Sequence, residues 1–415
     1  MKPNTSKFAP KNGFLSLPPI NGIRLSAVDA EISKSNKPDL MLAEISSHST
    51  ICGLLTNSKT CSAAVAKCRE NLKDHQDQER LLGIIVNSGN ANAFTGTHGE
   101  DVVNKTLLSV AKYLNTVPKN IFVASTGVIG EYLDSQKITS KIEKLVAELK
   151  PSSFQIAAEA IMTTDTFPKG AHEEFILNGI PIKINGIAKG SGMIAPNMAT
   201  MLVFIFSDIS IEANILQKIV IKCNRTSFNS ITVDSDTSTS DSLFVVATGK
   251  AKMTAIQSLK DPRATKFYKY LSKLMLNLAH LVVKDGEGLT KFIEVKVTGS
   301  NSHKSAHKVG KTIAESPLVK TAFAGEDPNW GRVVMAIGKS GVNIDKEKIS
   351  IWFGNHLVAQ NGSISETYNE LDVAKYMRND SLLVTVDLGL GSKEASIYTC
   401  DLTHDYISIN ADYRS

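Results

Sequence analysis

Lys189-Gly-Ser-Gly-Met-Ile-Ala-Pro-Asn-Met-Ala-Thr200-Met-Leu-Val-Phe-Ile-Phe206 has two halves of opposite character. The first is small, glycine-rich and holds a single lysine. The second is a run of apolar residues that reads as a buried strand. Thr200 stands at the junction, and two readings of it are open. It opens the strand, as β-branched residues often do. Or its hydroxyl attacks the peptide bond to Ala199 and is left carrying a new N-terminus. A threonine hydroxyl is a weak nucleophile, but an α-amine on the same residue is a competent base for it. That amine has an ordinary pKa of about 7.7–8.0, so part of it is unprotonated near neutrality.

Outward from this stretch, strand-like runs recur at 83–86, 121–124, 201–206, 243–247, 293–297, 333–337 and 382–387. Between them apolar residues repeat at helical spacing. Val102, Val103, Leu107, Val110, Ala111 and Leu114 mark one helix face. Ile138, Ile142, Leu145, Val146 and Leu149 mark a second, and Phe267, Leu271, Leu274, Leu278 and Leu281 a third. Such a mixture predicts helices layered on sheets. The irregular strand spacing does not predict a doubly wound sheet. Lys150-Pro-Ser-Ser153 reads as a turn, and 299–308 as an exposed polar loop leading into a helix.

With 415 residues the chain has enough material for a large core or for two lobes. Hydrophobic residues are 42% and charged residues 21%, and the net charge of +5 is spread along the chain. That pattern is not a nucleic-acid footprint. The apolar runs fall far short of the roughly 20 residues a bilayer span needs, and residues 1–10 lack the apolar centre of a secretory signal. Five scattered cysteines fit reduced thiols. The expectation is a cytoplasmic protein with no membrane or nucleic-acid partner.

Further motifs follow in order: Asn87-Ser-Gly-Asn-Ala-Asn-Ala93, Ser125-Thr-Gly-Val-Ile-Gly130, Met162-Thr-Thr-Asp-Thr-Phe-Pro-Lys169, Asp234-Ser-Asp-Thr-Ser-Thr239, Lys284-Asp-Gly-Glu-Gly288, Gly325-Glu-Asp-Pro-Asn-Trp-Gly-Arg332 and Ile409-Asn-Ala-Asp-Tyr413. Together with 189–202, they resemble the glutamate N-acetyltransferase (ornithine acetyltransferase) family of arginine biosynthesis, from about Gly22 to Ser415. The resemblance implies an α/β (α+β) fold, a layered αββα-type sandwich with a smaller second lobe. It implies cleavage between Ala199 and Thr200, leaving 1–199 and 200–415 as an alpha and a beta chain of one folded catalytic unit. Thr200 would carry an acetyl group from N2-acetyl-L-ornithine to L-glutamate. Thr126 and Gly127 would form the oxyanion hole, and Thr163, Lys189, Thr200, Glu287, Asn410 and Ser415 would bind substrate. Two alpha and two beta chains would assemble as a heterotetramer.

The residues can be weighed without the family. Ser125-Thr126-Gly127 follows a predicted strand, where a tight turn leaves N–H groups aimed at a pocket, or is an ordinary turn with Gly127 at positive φ. Glu287 can meet an ammonium, its flanking glycines permitting close backbone approach, and Lys189 can meet a carboxylate. Solvated loop charges are the competing reading for both. Ser415 stands where the family usually has threonine, and Ser235 and Ser240 where it has glycine and asparagine. A side chain at 235 is awkward if the backbone there needs positive φ. Asp327-Pro-Asn-Trp-Gly-Arg332 reads as a turn whose Asp and Arg pair, with no chemical role assigned. Gly338-Lys339-Ser340 lacks the upstream glycine of a phosphate loop, and His303 and His307 are placed in a polar loop. No metal and no cofactor are expected, and the residues do not decide whether acetyl-CoA is a second acetyl donor. An aminopeptidase using an N-terminal nucleophile is the rival enzyme class, and an uncleaved, non-catalytic homologue the rival outside catalysis.

Overall fold

A computed structural model describes residues 4–34, 37–74, 77–195 and 201–411. Ala199, Thr200 and Ser415 of the expected site lie outside the described residues. The first sheet has the order β1 (Ile23–Val28), β2 (Leu40–Ile45), β4 (Leu82–Asn87), β5 (Ile121–Ser125), antiparallel except for the β4–β5 pair. The second has the order β3 (Thr50–Leu55), β9 (Ser242–Ala247), β8 (Leu202–Ser207), β7 (Ile180–Lys189), β6 (Lys169–Leu177), with only β8–β9 parallel. The β6–β7 hairpin turns at Asn178-Gly179, both at positive φ, as a two-residue turn between twisted strands requires.

The two sheets face each other across one apolar core. Ile84, Val86 and Phe122 of the first meet Phe204, Phe206 and Phe244 of the second, with the Phe122 and Phe244 rings 5.5 Å apart. Val65 and Cys68 of α1 (Ala63–Lys73) and Phe154 and Ala157 of α5 (Phe154–Ala160) join that core. On the outer face of the first sheet lie α2 (Gly96–Tyr113), α3 (Ser135–Thr139) and α4 (Ile142–Ala147), whose Val103, Leu107, Ile138 and Leu145 pack near Leu42 and Ile85. On the outer face of the second lie α6 (Ala213–Arg225) and α7 (Pro262–Val283). Each fully buried Leu, Ile or Phe contributes about 1.5–3 kcal/mol. The strands of both sheets are apolar on two faces because both faces are covered. The result is the expected αββα sandwich.

A third sheet forms the smaller lobe: β13 (Ser363–Ile364), β12 (His356–Gln360), β11 (Ser350–Phe353), β14 (Ser381–Asp387), β10 (Phe292–Ser300), β15 (Lys393–Cys400). Helices α8 (His303–Ala314), α9 (Pro317–Ala324), α10 (Trp330–Gly338) and α11 (Glu370–Met377) share its separate core. The chain then enters α12 (His404–Ala411). Among the described residues no helix is long and apolar enough to cross a membrane.

Three expectations are corrected. Residues 333–337 belong to α10, capped by the Asn329 side chain, with Val333, Ala336 and Ile337 buried and Val334 and Met335 exposed. A five-residue apolar run cannot separate the two periods, and the capping asparagine decides. Residues 138–149 form two short helices rather than one. His303 and His307 lie on α8, where each ring bonds a carbonyl oxygen, Glu394 and Asn229 respectively.

Candidate active site

Thr126, Gly127, Thr163, Lys189, Glu287 and Asn410 converge on one cavity of about 270 Å³. It opens at the end of the sandwich where β5 and β7 finish and β8 and β9 begin. Lys189 pairs with Leu202 across the β7–β8 ladder, so the chain leaves β7 and returns to β8 at the same place. Met201 and Leu202, which follow Thr200 in sequence, form part of the cavity wall.

Lys189 is buried, and its ammonium donates to Thr126 Oγ1 at 2.9 Å and to Thr163 Oγ1 at 3.0 Å. Burial lowers its pKa, opposed by the Asp165 and Asp241 carboxylates. The solvated-loop reading of this lysine is therefore excluded. The Thr126 N–H is committed to the Asn87 carbonyl at 3.0 Å, so Thr126 offers a ligand its hydroxyl rather than its amide. That corrects the expectation of unpaired amides along this turn. Gly127 has φ +132°, and a Cβ there would sit 2.3 Å from the Gly89 carbonyl carbon and 2.5 Å from the Asn90 nitrogen. Only glycine fits this close crossing of two backbones.

Glu287 is also buried, its N–H on the Ser191 carbonyl and its Oε2 accepting from Asn410 Nδ2 at 2.7 Å. Burial raises its pKa above the ordinary 4.5. The flanking glycines do not open the backbone to a ligand as expected. Gly288, at φ +70°, packs against the start of α12, where a Cβ would meet the Tyr406 nitrogen at 2.4 Å. It thereby lets α12 lay Asn410 over Glu287.

Beneath the cavity Lys169 is fully buried between Asp165 (2.5 Å) and Asp285 (2.6 Å). Asp165 also accepts from the Gly190 N–H at 2.7 Å and from the Thr163 N–H at 3.0 Å. This ion triad thus orients the two segments that carry Lys189 and Thr163. Although burial alone would raise the Asp165 pKa, Lys169 and Lys189 hold it well below the usual carboxylate range. Ser235 has φ +71°, the strained geometry anticipated there, with its hydroxyl on the Glu315 carbonyl at 3.3 Å. The expected Asp327–Arg332 pair is not seen among the described residues: Arg332 donates to the Leu318 carbonyl and Thr321 Oγ1, Asp327 accepts from Asn329 Nδ2, and Trp330 is half-buried.

Sequence reasoning missed Ala91, Thr164, Ser238 and Asp241, which also line the cavity. Asp241 had a readable signal, a carboxylate set directly before the apolar strand 242–247. The other three carry none.

An αββα sandwich whose sheets end around a lysine, a hydroxyl pair and a buried glutamate defines an acyl-transfer enzyme built to hold a small charged substrate. The ArgJ family model matches residues 24–415, and the chain belongs to the ArgJ family. It is 48% identical over 402 residues to the arginine biosynthesis bifunctional protein ArgJ of Ruegeria pomeroyi, covering 97% of each chain. It is 46% identical over 412 residues to the protein of the same name from Bartonella quintana, covering 99% of each. The crystal structure of the ArgJ protein of Bacillus halodurans, 38% identical, covers 50% of this chain and 96% of its own, with a TM-score of 0.48. The resemblance noted in the motifs is borne out.

Proposed function

We propose that the chain cuts itself between Ala199 and Thr200, and that Thr200 then moves an acetyl group from N2-acetyl-L-ornithine to L-glutamate. The observation that carries this reading is the convergence of six motif residues on one cavity whose wall runs into Met201 and Leu202. In the transfer, Thr200 Oγ attacks the acetyl carbonyl carbon while its α-amine takes the hydroxyl proton. The Thr126 hydroxyl and the Gly127 N–H face the developing oxyanion. Ornithine leaves with the proton on its nitrogen, and glutamate attacks the resulting ester in the same pocket. Glu287 suits an ammonium and Lys189 a carboxylate, groups that the amino acids entering and leaving this pocket carry.

The fragments 1–199 and 200–415 would stay one unit, because β7 and β8 on either side of the cut share a ladder and both apolar cores of the sandwich. The reaction uses no metal or cofactor, and the heterotetramer and the cytoplasmic setting belong to the same reading. The relatives' designation as bifunctional supports acetyl-CoA as a second donor.

Intact-mass measurement and an ornithine-release assay test the proposal together. The expected result is two fragments meeting at the 199/200 cut, with ornithine release strictly dependent on glutamate. A fully active single chain of 44.9 kDa refutes the cleavage. Ornithine release that ignores glutamate refutes transfer and favours hydrolysis.

A further inference from the structure

Asp234 opens the motif 234–239 and has no part in the chemistry above, yet its carboxylate joins separate segments around the cavity. Its Oδ2 accepts from the Met193 N–H at 2.6 Å and its Oδ1 from the Ile194 N–H at 2.9 Å. A return bond runs from the Val233 N–H to the Ile194 carbonyl at 2.7 Å. The same Oδ2 accepts from the Tyr406 hydroxyl, on α12, at 3.2 Å. Gly192, Met193 and Ile194 are cavity wall. A Cβ on Gly192 would stand 2.3 Å from Glu287 Oε2, so this loop backs directly onto the carboxylate that Asn410 also reaches.

Each of α1 to α11 buries at least one side chain, whereas α12 buries none. Its residues join none of the apolar cores, and Ile407 is exposed. A helix of this length is not stable in water by itself. Its attachments are polar: Tyr406 on Asp234, Asn410 Nδ2 on Glu287, and Thr403 Oγ1, just ahead of the helix, on the Gly288 carbonyl at 2.6 Å. Burial and then the Asp234 charge raise the Tyr406 pKa, so its hydroxyl keeps the proton it donates. An element held by a few hydrogen bonds and no core opens at low cost.

We propose that Asp234 is a positioning residue: through the Tyr406 hydroxyl it latches α12 shut over the cavity and keeps Asn410 on Glu287. The inference rests on the reading of that cavity as the amino-acid site. Opening of α12 about residues 401–403 lifts Asn410 away and lets an amino acid in or out. Because Asp234 grips Met193 and Ile194 with its other bonds, closure sets α12 against the same loop that packs on Glu287. A site that must be closed to bind loses affinity in proportion to its open fraction, by one factor for every ligand. The latch therefore serves N2-acetyl-L-ornithine and L-glutamate alike.

Tyr406→Phe removes one hydroxyl and leaves Asp234 on the loop. In the purified enzyme, amide hydrogen exchange over 404–411 should quicken by about tenfold, the worth of a hydrogen bond to a charged group. Strands β7 and β8 should keep the wild-type rate, and the melting temperature should hold. KM for N2-acetyl-L-ornithine and for L-glutamate should rise by one common factor no larger than the gain in exchange, and kcat should not fall. Adding Tyr406→Phe to Asp234→Asn should free α12 no further than Asp234→Asn alone. Unchanged exchange over 404–411 overturns the latch, and so does a fall in kcat alone. KM factors differing by more than about threefold also overturn it, since a direct substrate contact gives that result. If L-ornithine fails to slow exchange over 404–411 in wild type while Tyr406→Phe quickens it, the latch stands and the amino-acid reading of the cavity fails.

Discussion

Gly127→Ala perturbs the crossing on which the proposed oxyanion donors depend. The added Cβ would lie 2.3 Å from the Gly89 carbonyl carbon, 2.5 Å from the Asn90 nitrogen and 2.6 Å from the Gly89 oxygen. All three are backbone atoms, so no side chain can swing aside. The two strands of chain must separate by about 0.7 Å to reach even 3.0 Å, the shortest separation a Cβ tolerates. Alanine at φ +132° adds about 1–3 kcal/mol of backbone strain. A displacement approaching 1 Å at a catalytic group costs about 100-fold in rate, and so does loss of one oxyanion donor. The expected result is a kcat for glutamate-dependent ornithine release about 100-fold below wild type, or about 2.7 kcal/mol in barrier. The assay is steady-state ornithine release, with intact mass to report completeness of cleavage and a melting curve to report folding. A kcat within about threefold of wild type at an unchanged melting temperature would refute the oxyanion role.

Glu287→Gln should raise the KM for L-glutamate about 10–100-fold, the worth of a charge-assisted hydrogen bond. In wild type that KM should climb as pH falls toward the carboxyl's raised pKa, because protonation removes the charge that attracts the ammonium, and the variant should lose this slope. Asp285→Asn leaves Lys169 with one carboxylate and should cost about 3 kcal/mol of unfolding free energy, read from urea titration. His280, half-buried against Tyr398 and Phe292, has its pKa lowered to about 4 from 6.5, first by burial and then by Lys284. The unfolded chain binds this proton at higher pH than the native one, so native stability should fall by about 2 kcal/mol between pH 7 and pH 5. His280→Gln should abolish that part of the acid sensitivity, and urea midpoints at the two pH values measure it.

The sequence alone was enough for the layered mixture of helices and sheets, for the strands at 121–124, 201–206 and 243–247, and for six of the residues that meet in the cavity. Buried strands and long amphipathic helices announce themselves locally, because each carries its own apolar period. The Asn178-Gly179 turn was equally legible and would have yielded the β6–β7 hairpin. The run 333–337 was not, since five apolar residues suit either period until the Asn329 cap is seen. Function-bearing details depended on partners distant in the chain. The Thr126 amide is spent on Asn87, Gly288 yields to α12, and Lys169 reaches a carboxylate 116 residues further along. Likewise, nothing within 234–241 marks one oxygen of Asp241 as buried beside Met201 and left without a donor among the described residues. Local pattern selects secondary structure because its interactions span a few residues. Burial, charge and hydrogen-bond satisfaction belong to the packed whole, and only the tertiary structure could decide them.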